Sequence, residues 1–104
     1  MGDDSDLWEA EASVLMTHEV GLHARPSVKL TQVAKGFTAR IEVGLGSAGP
    51  WIDAKSIVKV MRAKAPQNTV LYFRASGGDA EAAVAALVAL VEDDFAADLD
   101  GAVA

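Results

Sequence analysis

Residues 21–27, Gly-Leu-His-Ala-Arg-Pro-Ser, decide how this chain is read. Pro26 suits the first turn of a helix, where a missing N–H costs nothing, so the heptad marks a loop becoming a helix with His23 at the junction. A helix start gathers unpaired backbone N–H groups and a partial positive charge, which together form a ready anion site. Arg25 adds a fork-shaped donor suited to phosphate. A helix start also favours neutral imidazole over imidazolium, and neutral imidazole is the nucleophilic form. The arrangement suits a histidine that takes a phosphoryl group and passes it on.

Outward from the heptad, residues 24–35 read as a helix with Val28, Leu30 or Thr31, and Val33-Ala34 on its inner side, stopped at Gly36. Before it, residues 11–18 read as a strand with Ala12, Val14 and Met16 on one face. After it, residues 37–43 alternate as a strand with Phe37, Ala39, Ile41 and Val43 pointing one way. Gly44–Pro50 is a loop, and Trp51-Ile52 a very short strand. Asp53 is expected to cap a short helix over residues 54–63. Pro66-Gln67-Asn68 is a turn, residues 69–75 a strand, and residues 79–95 an alanine-rich helix whose stripe is Val84, Leu87, Val88, Val91 and Phe95. The order β-α-β-β-α-β-α predicts an α+β fold: a two-layer sandwich of antiparallel strands with helices on one face. Ser13, Thr17, Thr38, Arg40, Glu42 and Arg74 would line the open face.

At 104 residues the chain is one small domain, expected over residues 11–95, with a flexible acidic lead at 1–10 and a frayed tail at 96–104. It has no cysteine, which excludes disulfides and thiolate chemistry, and only two histidines, which argues against a histidine-rich metal site. No metal or cofactor is expected. The net charge of −6 disfavours nucleic acid and anionic membranes as partners. No apolar run is long enough to span a bilayer. The acidic opening lacks the parts of a signal peptide, and Asp6 breaks the myristoylation pattern, so a cytoplasmic protein is expected.

These elements, with Gly21-Leu22-His23-Ala24-Arg25-Pro26 and a second motif, Asp53-Ala54-Lys55-Ser56-Ile57, resemble the HPr family of the bacterial phosphoenolpyruvate-dependent phosphotransferase system. Ala34-Lys35-Gly36-Phe37 and the closing helix after Gly77-Gly78-Asp79 add smaller agreements. The resemblance covers about residues 11–95. It implies an open-faced β-sandwich, a four-stranded antiparallel sheet with three helices on one side. It implies that His23 is phosphorylated on Nδ1 by enzyme I and hands the group to a histidine of an enzyme IIA. Arg25 and Ala24 would hold the phosphate. Ser56 maps onto the regulatory serine, the target of HPr kinase/phosphorylase where that enzyme exists. A carrier, not a stand-alone catalyst, is the expectation, with monomer as its default state. The sequence departs from the family pattern at Val20, at Lys64 and Ala65 in place of the usual Gly and bulky apolar residue, and in a longer 44–50 loop.

Each candidate also has a plain reading. Arg25 could be a solvated cation, but a cation set against the helix dipole makes better sense if an anion arrives. A serine in the first turn of a helix is ordinary, so the plain reading of Ser56 stands level with the functional one. Ile57, Val58 and Met61 could be core, but short helices over a one-sided sheet cannot bury all of them, so they are expected to dock partners beside His23. His18 reads as structural and Trp51 as loop packing. Glu92-Asp93-Asp94 stands against the dipole of its helix without an assigned role. A regulatory adaptor of the same fold is the main alternative function. A histidine phosphatase would need a second catalytic histidine and a larger domain.

Overall fold

The computed structural model describes residues 8–18, 21, 22 and 24–95. The elements are β1 (Ala10–Met16), α1 (Ala24–Lys35), β2 (Arg40–Gly44), β3 (Trp51–Asp53), α2 (Ile57–Ala63), β4 (Thr69–Ser76) and α3 (Ala80–Glu92). The strands form one sheet in the order β1-β4-β2-β3, with every neighbouring pair antiparallel. This is the open-faced sandwich expected, with α3 against β1, β4 and β2, and α1 against α2 and α3.

Alternation builds the inner face. Val14 and Met16 of β1, Ile41 and Val43 of β2, and Leu71, Phe73 and Ala75 of β4 are buried together. Leu30 and Ala34 of α1, Val60 of α2, and Ala83, Leu87, Leu90 and Val91 of α3 close the core from the helical side. α1 has the bounds expected of it, but its buried stripe runs Pro26, Ser27, Leu30, Thr31 and Ala34, whereas Val28 is exposed. Counting the stripe from Pro26 gives the i, i+4, i+8 spacing that faces one side.

The second helix begins later than expected. Asp53 stays in β3, paired with Glu42, and its carboxylate accepts the Lys55 N–H at 2.9 Å. Ser56 is the N-cap, its hydroxyl accepting the Lys59 N–H at 3.3 Å, so the helix starts at Ile57. β2 likewise starts at Arg40. Phe37 and Thr38 lie in the turn that Asp79 holds.

That turn is held by charge. The Asp79 carboxylate accepts the Thr38 N–H at 2.9 Å, the Ala39 N–H at 2.8 Å and the Thr38 hydroxyl at 3.3 Å. The Thr38 N–H bond, foremost among these causes, lowers the Asp79 pKa below the usual 3.8. A carboxyl depressed on folding stabilises the fold above its unfolded pKa, and that contribution disappears as pH falls through the folded value. Asp79→Asn should therefore melt below the unaltered chain at pH 7. The gap in Tm should narrow as pH is lowered past 4, and a pH-independent gap in thermal melts would contradict this.

The face away from the helices is not bare. Arg74, between inward-facing Phe73 and Ala75, turns outward, donates Nε–H and Nη2–H to Glu42 Oε1 at 3.0 and 2.7 Å, and lies 4.4 Å from the Trp8 ring centroid and 3.9 Å from that of Trp51. Arg40 stands 5.1 Å from the Trp8 ring and pairs with Glu42 Oε2 at 3.3 Å. Trp51 lies across Gly44, where a Cβ would come within 2.9 Å of its ring. The Glu9 N–H donates to Ala75 O, and its carboxylate accepts the Gly77 N–H, both at 2.9 Å. The boundary expected at residue 11 therefore falls inside a network that includes Glu9 and Trp8, which is buried.

Candidate functional site

The heptad is seated by the segment that follows α2. Gly21 takes φ +69°, a conformation that favours glycine, and donates its N–H to His18 O at 3.0 Å. A Cβ there would strike the Ala65 carbonyl oxygen and come within 3.0 Å of Pro66 backbone atoms. The Leu22 N–H donates to that same Ala65 oxygen at 2.8 Å, and the Leu22 side chain is buried. Ala24 then opens α1. His23, the residue between, lies outside the described residues, as does Val20.

Arg25 is exposed at the start of α1 and has no ion-pair or hydrogen-bond partner among the described residues. Neither α1 nor α2 contains an acidic residue. Seven of the nine basic residues stand in or beside these two helices: Arg25, Lys29, Lys35, Lys55, Lys59, Arg62 and Lys64. A chain of net charge −6 thus gathers its positive charge along α1 and α2, with Lys35 and Lys55, whose ammonium bonds Phe37 O at 2.7 Å, at the end of α1 away from the heptad. Ser27, four residues past His23, is fully buried, and its hydroxyl is the one buried side-chain polar atom without a partner among the described residues.

Beside the heptad lies a groove of about 760 Å³. It is lined by Leu22 and Ala24 of the heptad, by Val58, Met61 and Arg62 of α2, and by Lys64, Ala65 and Pro66 of the segment that follows α2. Val58 is 59% exposed and Met61 39%, large values for apolar side chains. Of the three expected docking residues these two line the groove, and Ile57, half-buried, does not. Arg62 joins them because residues 58, 61 and 62 share one helical face, a spacing visible in the sequence. Leu22 and Pro66 enter only through the Leu22–Ala65 bond. Ser56 caps α2 with its side chain half-buried. His18 is half-buried, its ring edge-on to Phe95 at 5.7 Å.

Lys64 holds the left-handed position (φ 50°) that ends α2, its N–H bonded to Met61 O. A side chain in that conformation costs about 1–2 kcal/mol, part of which glycine would return to unfolded-chain entropy. Lys64→Gly should raise stability by about 0.5–1 kcal/mol. A lower denaturation midpoint in the variant would show that the lysine stem stabilises this end of the groove instead.

The family model described as "PTS HPr component phosphorylation site" matches residues 10–93. This chain belongs to the HPr family. The phosphocarrier protein HPr of Xylella fastidiosa is 38% identical over 88 residues, covering 85% of this chain and 97% of that protein. Phosphocarrier protein NPr of Escherichia coli K12 is 29% identical over 86 residues, covering 83% and 94%. The crystal structure of HPr from Thermoanaerobacter tengcongensis superposes with a TM-score of 0.78 at 33% identity, covering 86% of this chain and 99% of that one. An HPr-family chain serves as a phosphocarrier of the phosphotransferase system, and its partners are other proteins of that system. Among the described residues no helix is long and apolar enough to cross a membrane.

Proposed function

We propose that His23 accepts a phosphoryl group from phospho-enzyme I and passes it to a histidine of an enzyme IIA. In each step the bond from phosphorus to the donor breaks as the bond from phosphorus to the accepting ring nitrogen forms, and no other group is consumed. The observation that carries this reading is the seat of the heptad. A glycine-only turn bonded to Ala65 delivers the chain into the start of α1, beside an exposed Arg25 with no partner among the described residues. The Arg25 guanidinium and the Ala24 N–H would receive the phosphate charge, and each such preorganised donor is worth about 10²–10³ in rate where it acts on transition-state charge. Val58 and Met61 would contact the partner, with Ile57 at the edge of that contact. The cations of α1 and α2 suit an acidic partner.

In this reading the protein is a carrier, not a stand-alone catalyst. It works in the cytoplasm as a monomer, with residues 11–95 as the core of the functional domain. The test is intact mass after incubation with enzyme I, magnesium and phosphoenolpyruvate. One added acid-labile phosphate is expected, and none with an active cognate enzyme I would turn the reading to a docking adaptor.

Ser56 is the proposed regulatory site, open to HPr kinase/phosphorylase where a cell has it. A phosphate on this cap would meet the N-terminus of α2 and place about two negative charges beside Val58. Phosphoserine at 56, installed by the kinase, should slow transfer to His23 by about tenfold or more, since each 1.4 kcal/mol of lost partner attraction is tenfold. Equal transfer rates before and after modification would remove Ser56 from the control of this step.

A further inference from the structure

A second recess, of about 550 Å³, opens where β2, β3 and the start of α2 meet, and it shares no lining residue with the groove beside the heptad. Its size is that of a small-molecule site. Arg40, Glu42, Trp51, Asp53, Lys55 and Lys59 line it, and they bring three kinds of group together. Trp51 supplies a half-exposed indole. The Arg74 guanidinium stacks on that ring, 3.9 Å from its centroid, and does not itself line the recess, so it steadies the indole and leaves the other side to a ligand. Lys55 and Lys59 supply cations. Glu42 is engaged by Arg74 and Arg40, whereas neither lysine pairs with a carboxylate among the described residues. The Lys55 ammonium is fixed by one bond, to Phe37 O at 2.7 Å, which leaves it further N–H donors. Asp53 supplies an acceptor. One of its carboxylate oxygens receives the Lys55 N–H at 2.9 Å, and the other is bonded to no described residue. Three cations against two carboxylates make the recess positive in a chain of net charge −6, which favours an anion.

We propose that this recess binds a nucleotide, with the base stacked on Trp51, a ribose hydroxyl on Asp53 and the phosphates on Lys55 and Lys59. Each part of the ligand answers one kind of group. An aromatic side chain stacks any base, because every base has a π-face. A carboxylate is the usual acceptor for ribose hydroxyls. Ammonium groups bind phosphate as point charges. A simple anion would leave the indole and Asp53 without a role, and an uncharged aromatic would leave the lysines without one. The site uses no residue of the heptad, so it stands or falls independently of the carrier reading.

The experiment titrates the full chain at low salt with metal-free ADP, adenosine and pyrophosphate, following the amide and indole N–H signals by NMR. ADP should move the Trp51 indole N–H and the amides of Arg40, Asp53, Lys55 and Lys59, and the shifts should saturate. It should bind about tenfold or more tightly than either fragment, because joining two weak contacts in one molecule raises affinity without a new contact. The Lys59 ammonium bonds no described residue, so Lys59→Gln should leave the fold intact. That variant should weaken ADP by about two- to fivefold, the range for an exposed charge pair, and leave adenosine unchanged. Pyrophosphate binding as tightly as ADP would reduce the recess to a patch of cations and overturn the proposal. Unchanged ADP affinity in Lys59→Gln also overturns it. Shifts centred on Arg25, Arg62 and Lys64 overturn it by placing the anion at the heptad. So does the absence of saturable shifts up to about 10 mM ADP, a concentration at which even a millimolar site is mostly filled.

Discussion

The His23→Ala variant is expected to take up no phosphate from enzyme I and phosphoenolpyruvate, under conditions where the unaltered chain gains one. The chain offers no substitute. It has no cysteine, and His18, its only other histidine, is half-buried with its ring edge against Phe95. His18→Ala should keep full labelling, which separates the two imidazoles. Arg25→Lys keeps the charge and loses the planar fork, so it should label to the same extent but about tenfold or more slowly. Label persisting in His23→Ala would place the phosphate elsewhere, and an unchanged rate in Arg25→Lys would remove the guanidinium from the phosphate's surroundings.

Gly21→Ala should have the largest effect on the folded chain. A residue with a side chain at φ +69° costs about 1–2 kcal/mol, and forcing extra atoms against fixed backbone typically costs a further 1–3. The new methyl would meet the Ala65 carbonyl oxygen, the atom that also receives the Leu22 N–H, so relief by movement breaks the bond that seats the heptad. A loss of about 2–5 kcal/mol, or roughly 10–25 °C in Tm for a domain of this size, is expected together with slowed transfer to His23. Gly78→Ala is the control: no atom lies within 4 Å of its added Cβ, and its Tm should match the unaltered chain. Equal Tm values for the two variants would show that the heptad turn is not held as described.

What could be read from the chain was what local pattern controls. The bounds of α1 follow from Pro26 at one end and Gly36 at the other, and the inner faces of β1, β2 and β4 follow from strict alternation. The start of α2 was placed three residues too early, at Asp53, because Asp53 and Ser56 are both residue types that cap helices. The choice was made by β3 pairing with β2, which keeps Asp53 extended. Val28 was misplaced because the apolar stripe of α1 is carried partly by Pro26 and Ser27, residues whose type does not mark them as core. In the site, His23, Arg25 and α2 were legible as motifs. The groove wall was not, because Leu22 and Pro66 meet only after the chain returns through α2. Trp8 was assigned to a lead because its partners, Arg40 and Arg74, stand more than thirty and sixty residues away.

That last contact has a consequence for observation. Trp8 and Trp51 are the only tryptophans, both rest on the Arg74 guanidinium, and the single tyrosine, Tyr72, is two residues along the same strand face. The intrinsic fluorescence of the protein therefore originates from the sheet surface turned away from the helices. β1, seven residues and so roughly 20 Å long at about 3.4 Å per residue, carries the chain from Trp8 to the loop before the heptad. Ultraviolet emission should report release of the residue-8 edge from the sheet, whereas occupancy of the helical surface needs a probe placed there, such as a fluorophore or a fluorine label at Met61.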